Sequence, residues 1–334
     1  MAKNKKESII KPRDETEAEQ FLEKKYGKGV LSNKVDDIKR YPTGLIKFDY
    51  AIGGGLPVGR IIERYGVEGS AKTTGAAEDA KAVQKVGKKV LFLDYEYAVD
   101  LKYLKDIGVD FSDELWMFNQ PSNFEEGMNI AIVLIQTGAY GLVIVDSVAG
   151  MTPQAELDGS MDDQQIGLQA RLMGKALRKL IEVSSKYDCC VEFINQIRMK
   201  IGMVFGNPET TPGGRALKFF ASIRIEQRVI KIKDSTDIIS TWKIVKNKTS
   251  KQQQDKLEYI VRPSHGIVRE QEVIDTGLEL GIISQVKNRF RFKNSKKSYT
   301  KKDFYKLIKT NHKVGDLIKK VYIKQNETEE DRGE

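Results

Sequence analysis

Arg64-Tyr65-Gly66-Val67-Glu68-Gly69-Ser70-Ala71-Lys72-Thr73-Thr74 lies between a strand-like run, Arg60-Ile61-Ile62-Glu63, and a helix-like run that starts at Thr73. Against the phosphate-loop pattern G-x-x-x-x-G-K-[ST] it has the first glycine (Gly66), the lysine (Lys72) and the hydroxyl (Thr73). Ala71 stands where the second glycine belongs. A tight loop ahead of a helix points several backbone N–H groups at one spot, where the helix dipole adds positive charge. Gly66, Val67, Glu68, Gly69, Ser70, Ala71, Lys72, Thr73 and Thr74 are therefore the candidate nucleotide-binding loop. Lys72 would reach the β- and γ-phosphates, and the Thr73 hydroxyl would ligate Mg2+. The Cβ of Ala71 falls where backbone and phosphate approach closely, so weakened nucleotide affinity or turnover is expected. Taken alone, the stretch also fits an ordinary glycine-containing turn with an exposed lysine.

Working outward, three apolar runs end in polar residues. Lys89–Asp94 leads into Tyr95-Glu96-Tyr97, Leu142–Val145 ends at Asp146-Ser147, and Cys190–Ile194 ends at Asn195-Gln196. Strands that alternate with helices imply an α/β fold with a mostly parallel sheet covered on both faces. Ligands of such sheets bind at the carboxyl ends of the strands, so these polar ends should converge on the loop. Asp146 is then the acid that holds Mg2+ through water, Glu96 the general base for an attacking water, and Gln196 a sensor of the γ-phosphate. The helix after the loop, read as Thr73–Val86, is unexpectedly small and charged, with Gly75, Ala76, Ala77, Glu78, Asp79 and Ala80 in place of a leucine-rich inner face.

The 334 residues allow one large domain and one or two small ones. No apolar run approaches membrane-spanning length, and the basic N-terminus is not followed by an apolar signal core, so a cytoplasmic protein without membrane contact is expected. The two cysteines, Cys189 and Cys190, are adjacent; neighbours on a strand face opposite ways, so they read as core thiols, not as a disulfide or metal pair. The net charge is +9 and is concentrated: Lys287–Lys324 carries fourteen Lys or Arg against two acids, Asp303 and Asp316. Such a segment suggests a polyanion, nucleic acid before others. Before the loop, 14–26 has a helical pattern with Phe21, Leu22 and Tyr26 in one stripe, stopped by Gly27 and Gly29.

Four stretches carry a resemblance. Phe193–Gly202 (FINQIRMKIG), Phe205–Thr211 (FGNPETT) with Gly213-Gly214 and Ala216–Phe219, and Val245-Lys246-Asn247-Lys248 closely resemble the bacterial RecA recombinase family, as does Asp146–Ala149 with Thr152-Pro153. The similarity runs from about Tyr26 to at least His265, and the departures from the family pattern fit a version borne by a phage or mobile element. The resemblance implies a RecA-like P-loop ATPase core over 35–268, preceded by an arm, helix and subunit-linking strand (Val30-Leu31) over 1–34. A small basic α/β domain that gathers duplex DNA would follow over 269–325, and an acidic tail over 326–334. It implies ATP and Mg2+ as cofactors, self-assembly into a helical filament, and binding of single-stranded and duplex DNA.

The same resemblance assigns roles. Asp100 and Tyr103 match adenine-side residues. Lys246 and Lys248 resemble lysines that reach the neighbouring subunit's ATP. Two DNA-holding loops correspond to about 158–167 and 197–211. Arg171, Arg178, Arg198, Lys200 and the amides near Gly213 and Gly214 would meet phosphates, with Met199 beside them; Ile166, Val204 and Phe205 would wedge between base triplets.

Arg64 and Glu192 interrupt strands that the family fills with aliphatics. A lone buried charge costs several kcal/mol, so Arg64 is expected to pair with Glu192, with Asp79 or Glu78 as a further acid. The function expected is a DNA-dependent ATPase that catalyses homologous pairing and strand exchange. A filament-forming single-stranded-DNA-binding protein with little turnover is the alternative that Ala71 motivates, and a helicase or regulatory ATPase of the same fold is a weaker third.

Overall fold

A computed structural model describes residues 14–27, 30–31, 37–160, 167–199, 208–251, 256–293 and 295–330, without the side chains of 327–330. Met1–Ile38 and Lys39–Glu334 form separate compact units. The first holds α1 (Glu15–Tyr26), whose N-cap Asp14 accepts from the Glu17 amide at 2.8 Å. Val30 and Leu31, expected as a strand, are bends about half exposed. An extended pair becomes a strand only beside a partner, and no described sheet includes these two.

The second unit runs through β1 (Arg40–Tyr41), α2 (Ile46–Ala51), β2 (Leu56–Pro57), β3 (Ile61–Gly66), α3 (Lys72–Lys85), β4 (Lys89–Asp94), α4 (Leu101–Asp106) and β5 (Trp116–Asn119). It continues with α5 (Phe124–Ile135), β6 (Tyr140–Asp146), α6 (Gln154–Asp158), α7 (Leu168–Lys186), β7 (Cys190–Gln196), β8 (Arg198–Met199), β9 (Glu209–Thr210) and α8 (Ala216–Phe220). Four strands follow: β10 (Ile223–Lys231), β11 (Ile238–Asn247), β12 (Leu257–Arg262) and β13 (Gly266–Ile267). Last come α9 (Arg269–Glu279), β14 (Ile283–Val286), β15 (Arg289–Phe292), β16 (Tyr299–Thr300), α10 (Lys301–Thr310) and α11 (His312–Glu330).

The central sheet has the order β13-β12-β11-β10-β3-β7-β6-β4-β5. From β10 to β5 every pairing is parallel, and β11 to β13 extend the sheet antiparallel. The central parallel strands β3, β7, β6 and β4 are buried on both faces. One core lies on the α3 face (Ile62, Phe92, Ile144, Ile194, Trp242) and the other on the α5–α7 face (Leu91, Val143, Phe193, Leu177, Leu180). Cys189 and Cys190 are buried free thiols on opposite faces, one in each core. The segment after α9 adds a three-stranded antiparallel sheet, β14-β15-β16, with its own core around Phe290, Phe304, Ile308 and Ile318. Among the described residues no helix is long and apolar enough to cross a membrane.

The sparse inner face of α3 has a physical cause. Arg64 is fully buried beneath it, with Nε donating to Glu192 Oε1 and Nη2 to Asp79 Oδ2, both at 2.6 Å. Its Cζ lies 4.5 Å from the Trp242 ring centroid. The expected pair is present and Asp79 supplies the second acid. Glu78 points elsewhere, to Lys81 Nζ at 2.7 Å and to Arg269 at the start of α9. Burial, then the Glu192 charge, hold the Asp79 carboxyl well above its ordinary range against the pull of Arg64.

Candidate active site and nucleic-acid interface

The loop is shaped by its glycines and by one residue that is not glycine. At Gly66 a Cβ would lie 2.1 Å from Gln227 O on β10, so only glycine lets the two backbones approach. Gly69 has φ +69 with open space around its missing side chain. Ala71 sits at φ 64, ψ 36, in the left-handed region, as the residue before α3. The position thus has the conformation that favours the motif's glycine, and Ala71 holds it at a cost of about 1 kcal/mol. No side chain caps α3, so the amides of its first turn are left for a ligand. Lys72 Nζ lies over the loop, donating to Val67 O at 2.8 Å and Gly66 O at 3.3 Å. Burial lowers its pKa, while Asp146, Glu96 and Glu68 raise it.

The strand ends do meet there. Thr73 Oγ1 donates to Asp146 Oδ2 at 2.9 Å. Glu96 Oε1 accepts from Gln196 Nε2 at 2.6 Å and from the Ser147 hydroxyl. Asp94 Oδ1 accepts from the Glu96 amide at 3.1 Å, and its Oδ2 from Gln120 Nε2 at the same distance. Burial pushes the Asp146 carboxyl up to about 7, the Thr73 hydroxyl opposes this, and the charges of Glu96 and Asp94 add to it. A dication beside Thr73 and Asp146 would reverse that. Among the described residues no three acidic, His or Cys side chains converge, so Mg2+ here would take its remaining oxygens from water and phosphate. The donor set fits Mg2+-nucleotide: amides and an ammonium for phosphate, one hydroxyl and one carboxylate for the metal. Tyr103 joins the same site, its hydroxyl 2.8 Å from Thr74 Oγ1, and Asp100 caps α4 by accepting from the Tyr103 amide at 2.9 Å.

Lys246 and Lys248 lie elsewhere. In register Lys246 faces Arg224, and Arg224 faces Glu63, so Lys246 stands two strands from β3 and three residues short of Gly66. At about 3.3 Å per residue and 4.8 Å per strand, that is roughly 10 Å along the sheet and 10 Å across it. Lys246 Nζ instead donates to Lys218 O at 2.7 Å and Phe219 O at 2.9 Å at the end of α8.

The expected DNA contacts are partly described. Arg198 and Met199 are exposed on β8, which pairs with β9 through Arg198–Thr210 and Met199–Glu209. Arg171 and Arg178 are exposed two turns apart on α7. Gly213 and Gly214 have φ +82 and +73, and a Cβ on Gly214 would lie 2.7 Å from the Ala170 Cβ, so this turn packs against the start of α7. Ile166, Lys200, Val204 and Phe205 lie outside the described residues. Sequence reading missed Ser147 and Asp94, which orient Glu96; their signal was their place at the ends of the same two strands.

Strand, glycine-containing loop and helix at the carboxyl edge of a mostly parallel sheet define a P-loop protein of the RecA-like α/β class. The RecA N-terminal domain family matches residues 15–265. Protein RecA of Geobacter sulfurreducens is 44% identical over 274 residues, 79% of this chain and 80% of its own. Protein RecA of Chloroherpeton thalassium is 41% identical over 319 residues, 93% of this chain and 88% of its own, and that of Caldanaerobacter subterraneus 40% over 308. The chain belongs to the RecA family of bacterial recombinases, proteins of DNA recombination and repair.

Proposed function

We propose that the chain is a DNA-dependent ATPase that assembles into a helical filament on single-stranded DNA and catalyses homologous pairing and strand exchange, with ATP and Mg2+ held between subunits. The observation that carries this is the junction of four strand ends. Thr73 meets Asp146, and Glu96 is held between Ser147 and Gln196. Bound Mg2+-ATP supplies the γ-phosphoryl group that is transferred to water. Lys72 and the first amides of α3 would hold its phosphates, and Thr73 and Asp146 would hold the metal. Glu96, steadied on one oxygen, accepts a proton from the attacking water. Gln196 touches Glu96 and begins the segment that leads into the second DNA loop, so it ties the two. Lys246 and Lys248, distant from their own loop, serve the nucleotide of a neighbouring subunit. Residues 269–325 form the basic duplex-gathering domain.

A filament without turnover is the weaker reading; Ala71 favours it, but the complete set of Lys72, Thr73, Glu96 and Asp146 weighs against it. The test is ATP hydrolysis with and without single-stranded DNA, beside Lys72→Ala and Glu96→Gln. Hydrolysis that rises with DNA and is lost in both variants supports the motor. Assembly on DNA with no hydrolysis above the variants leaves only the passive filament.

A further inference from the structure

Glu63 and Arg64 are consecutive on β3, face opposite sides of the sheet, and are both fully buried. Arg64 serves the α3 face. Glu63 joins groups on the other. Its Oε1 accepts from Asn195 Nδ2 at 3.0 Å, and its Oε2 from Arg224 Nε at 2.6 Å. Asn195 precedes Gln196, and the same Nδ2 donates to Pro212 O at 3.1 Å. Pro212 follows the segment that pairs with β8. Arg224 stacks on Tyr65, 4.6 Å from its ring centroid, and is the register partner of Lys246. A second tie joins the same regions: Arg228, further along β10, pairs with Glu209 of β9.

A buried carboxylate is poor value as a stabiliser, since apolar packing serves a core as well. Its use here is positional. Three cations, Arg224, Lys246 and Lys248, gather at one end of β10 and β11, and Glu63 is the buried acid that pairs with the first of them. We propose that Glu63 is a positioning residue that couples the end of the second DNA loop, through Asn195 and Pro212, to Arg224 and so to Lys246 and Lys248, which act on the neighbouring subunit's nucleotide. The coupling works because one rigid carboxylate is shared. A shift of Pro212 moves the Asn195 amide, and the carboxylate that follows it also sets Arg224. The inference rests on the reading of the chain as a DNA-dependent ATPase.

The experiment uses the full-length protein with Glu63→Gln, Arg224→Gln and the double variant. Glutamine keeps the size of Glu63 but presents an N–H to one of two donors. For each variant, steady-state ATP hydrolysis is measured with and without single-stranded DNA, together with binding of a non-hydrolysable ATP analogue and the melting temperature. The expected result for each single variant is analogue binding within threefold of the parent and a DNA-stimulated kcat lowered tenfold or more, with KM for ATP within threefold. The double variant should lose no more than the worse single one. Losses that multiply in the double variant, or stimulation that is unchanged in folded variants, overturn the proposal. If Glu63→Gln does not fold, Arg224→Gln, at a partly exposed residue, decides by the same kcat criterion. Absence of DNA stimulation in the parent removes the underlying reading and the inference with it, whereas stimulation in parent and variants alike removes only the inference.

Discussion

The guanidinium of Arg64 fills the space that a side chain at Gly75 would need: a Cβ built on Gly75 would lie 2.5 Å from Arg64 Nη1 and 2.8 Å from Cζ. Glycine in a helix interior is unfavourable by about 1 kcal/mol relative to alanine. The sequence tolerates this because the strand beneath carries an arginine. Gly75→Ala should therefore destabilise the protein by about 1–3 kcal/mol through overpacking. In an Arg64→Leu background the same change should be neutral or stabilising. Urea unfolding of the four proteins checks this; equal costs in both backgrounds would show that Arg64 is not what constrains position 75.

The Arg64–Glu192–Asp79 cluster should respond as a unit. Arg64→Leu alone strands the Glu192 carboxylate in the core and should cost about 3–5 kcal/mol. Arg64→Leu with Glu192→Leu should cost much less than the sum of the two single changes. Equilibrium unfolding decides, and a double change that costs the full sum would mean that the contact carries no coupling.

Ala71→Gly should relieve the left-handed strain ahead of α3. The gain is at most about 1 kcal/mol, because glycine also frees the unfolded chain. Removing the Cβ should tighten nucleotide binding as well. Thermal melting and ATP-analogue titration would show a raised Tm and a lowered Kd; a lowered Tm would place the strain elsewhere.

Glu272 is buried on α9, where its Oε1 accepts from the Lys47 amide at 3.0 Å. Burial raises its pKa to about 7 from an ordinary 4.5, against the backbone donors. The folded state then holds a proton that the unfolded chain has released, so this group's stabilisation is full below about pH 4.5 and is lost as pH rises to about 7. The loss is at most about 3–4 kcal/mol. Glu272→Gln keeps the acceptor and cannot titrate. Urea midpoints from pH 5 to 7.5 should fall less steeply in the variant; parallel profiles would refute the assignment.

Much of the fold and of the site is legible in the sequence, for reasons that differ by region. The ends of β4, β6 and β7 announce themselves because each apolar run stops at a polar residue, and parallel sheets bring such ends to one edge beside the loop that follows β3. Arg64 and Glu192 could be matched because two opposite charges interrupted strands expected to be adjacent. Glu78 could not be distinguished from Asp79 as the second acid. Its partner Arg269 lies 191 positions away, and no local pattern encodes that encounter. The left-handed backbone of Ala71 was equally hidden, since alanine usually signals helix. Nor did the sequence show that β11 to β13 extend the sheet antiparallel. Their register is set by tertiary pairing, not by an alternation that specifies direction.

The Arg64 cluster also limits how this protein can be combined with others. Its charges come from β3, from α3 just beyond the loop, and from β7, more than a hundred residues further along the chain. A chimera that imports α3 alone from a relative with bulky aliphatics there would drive a side chain into Arg64 and remove Asp79. Importing β3 alone would leave two acids without their cation. Only a transplant of all three segments together, or of none, keeps the acids with their cation, so a single crossover between residues 64 and 192 splits the cluster.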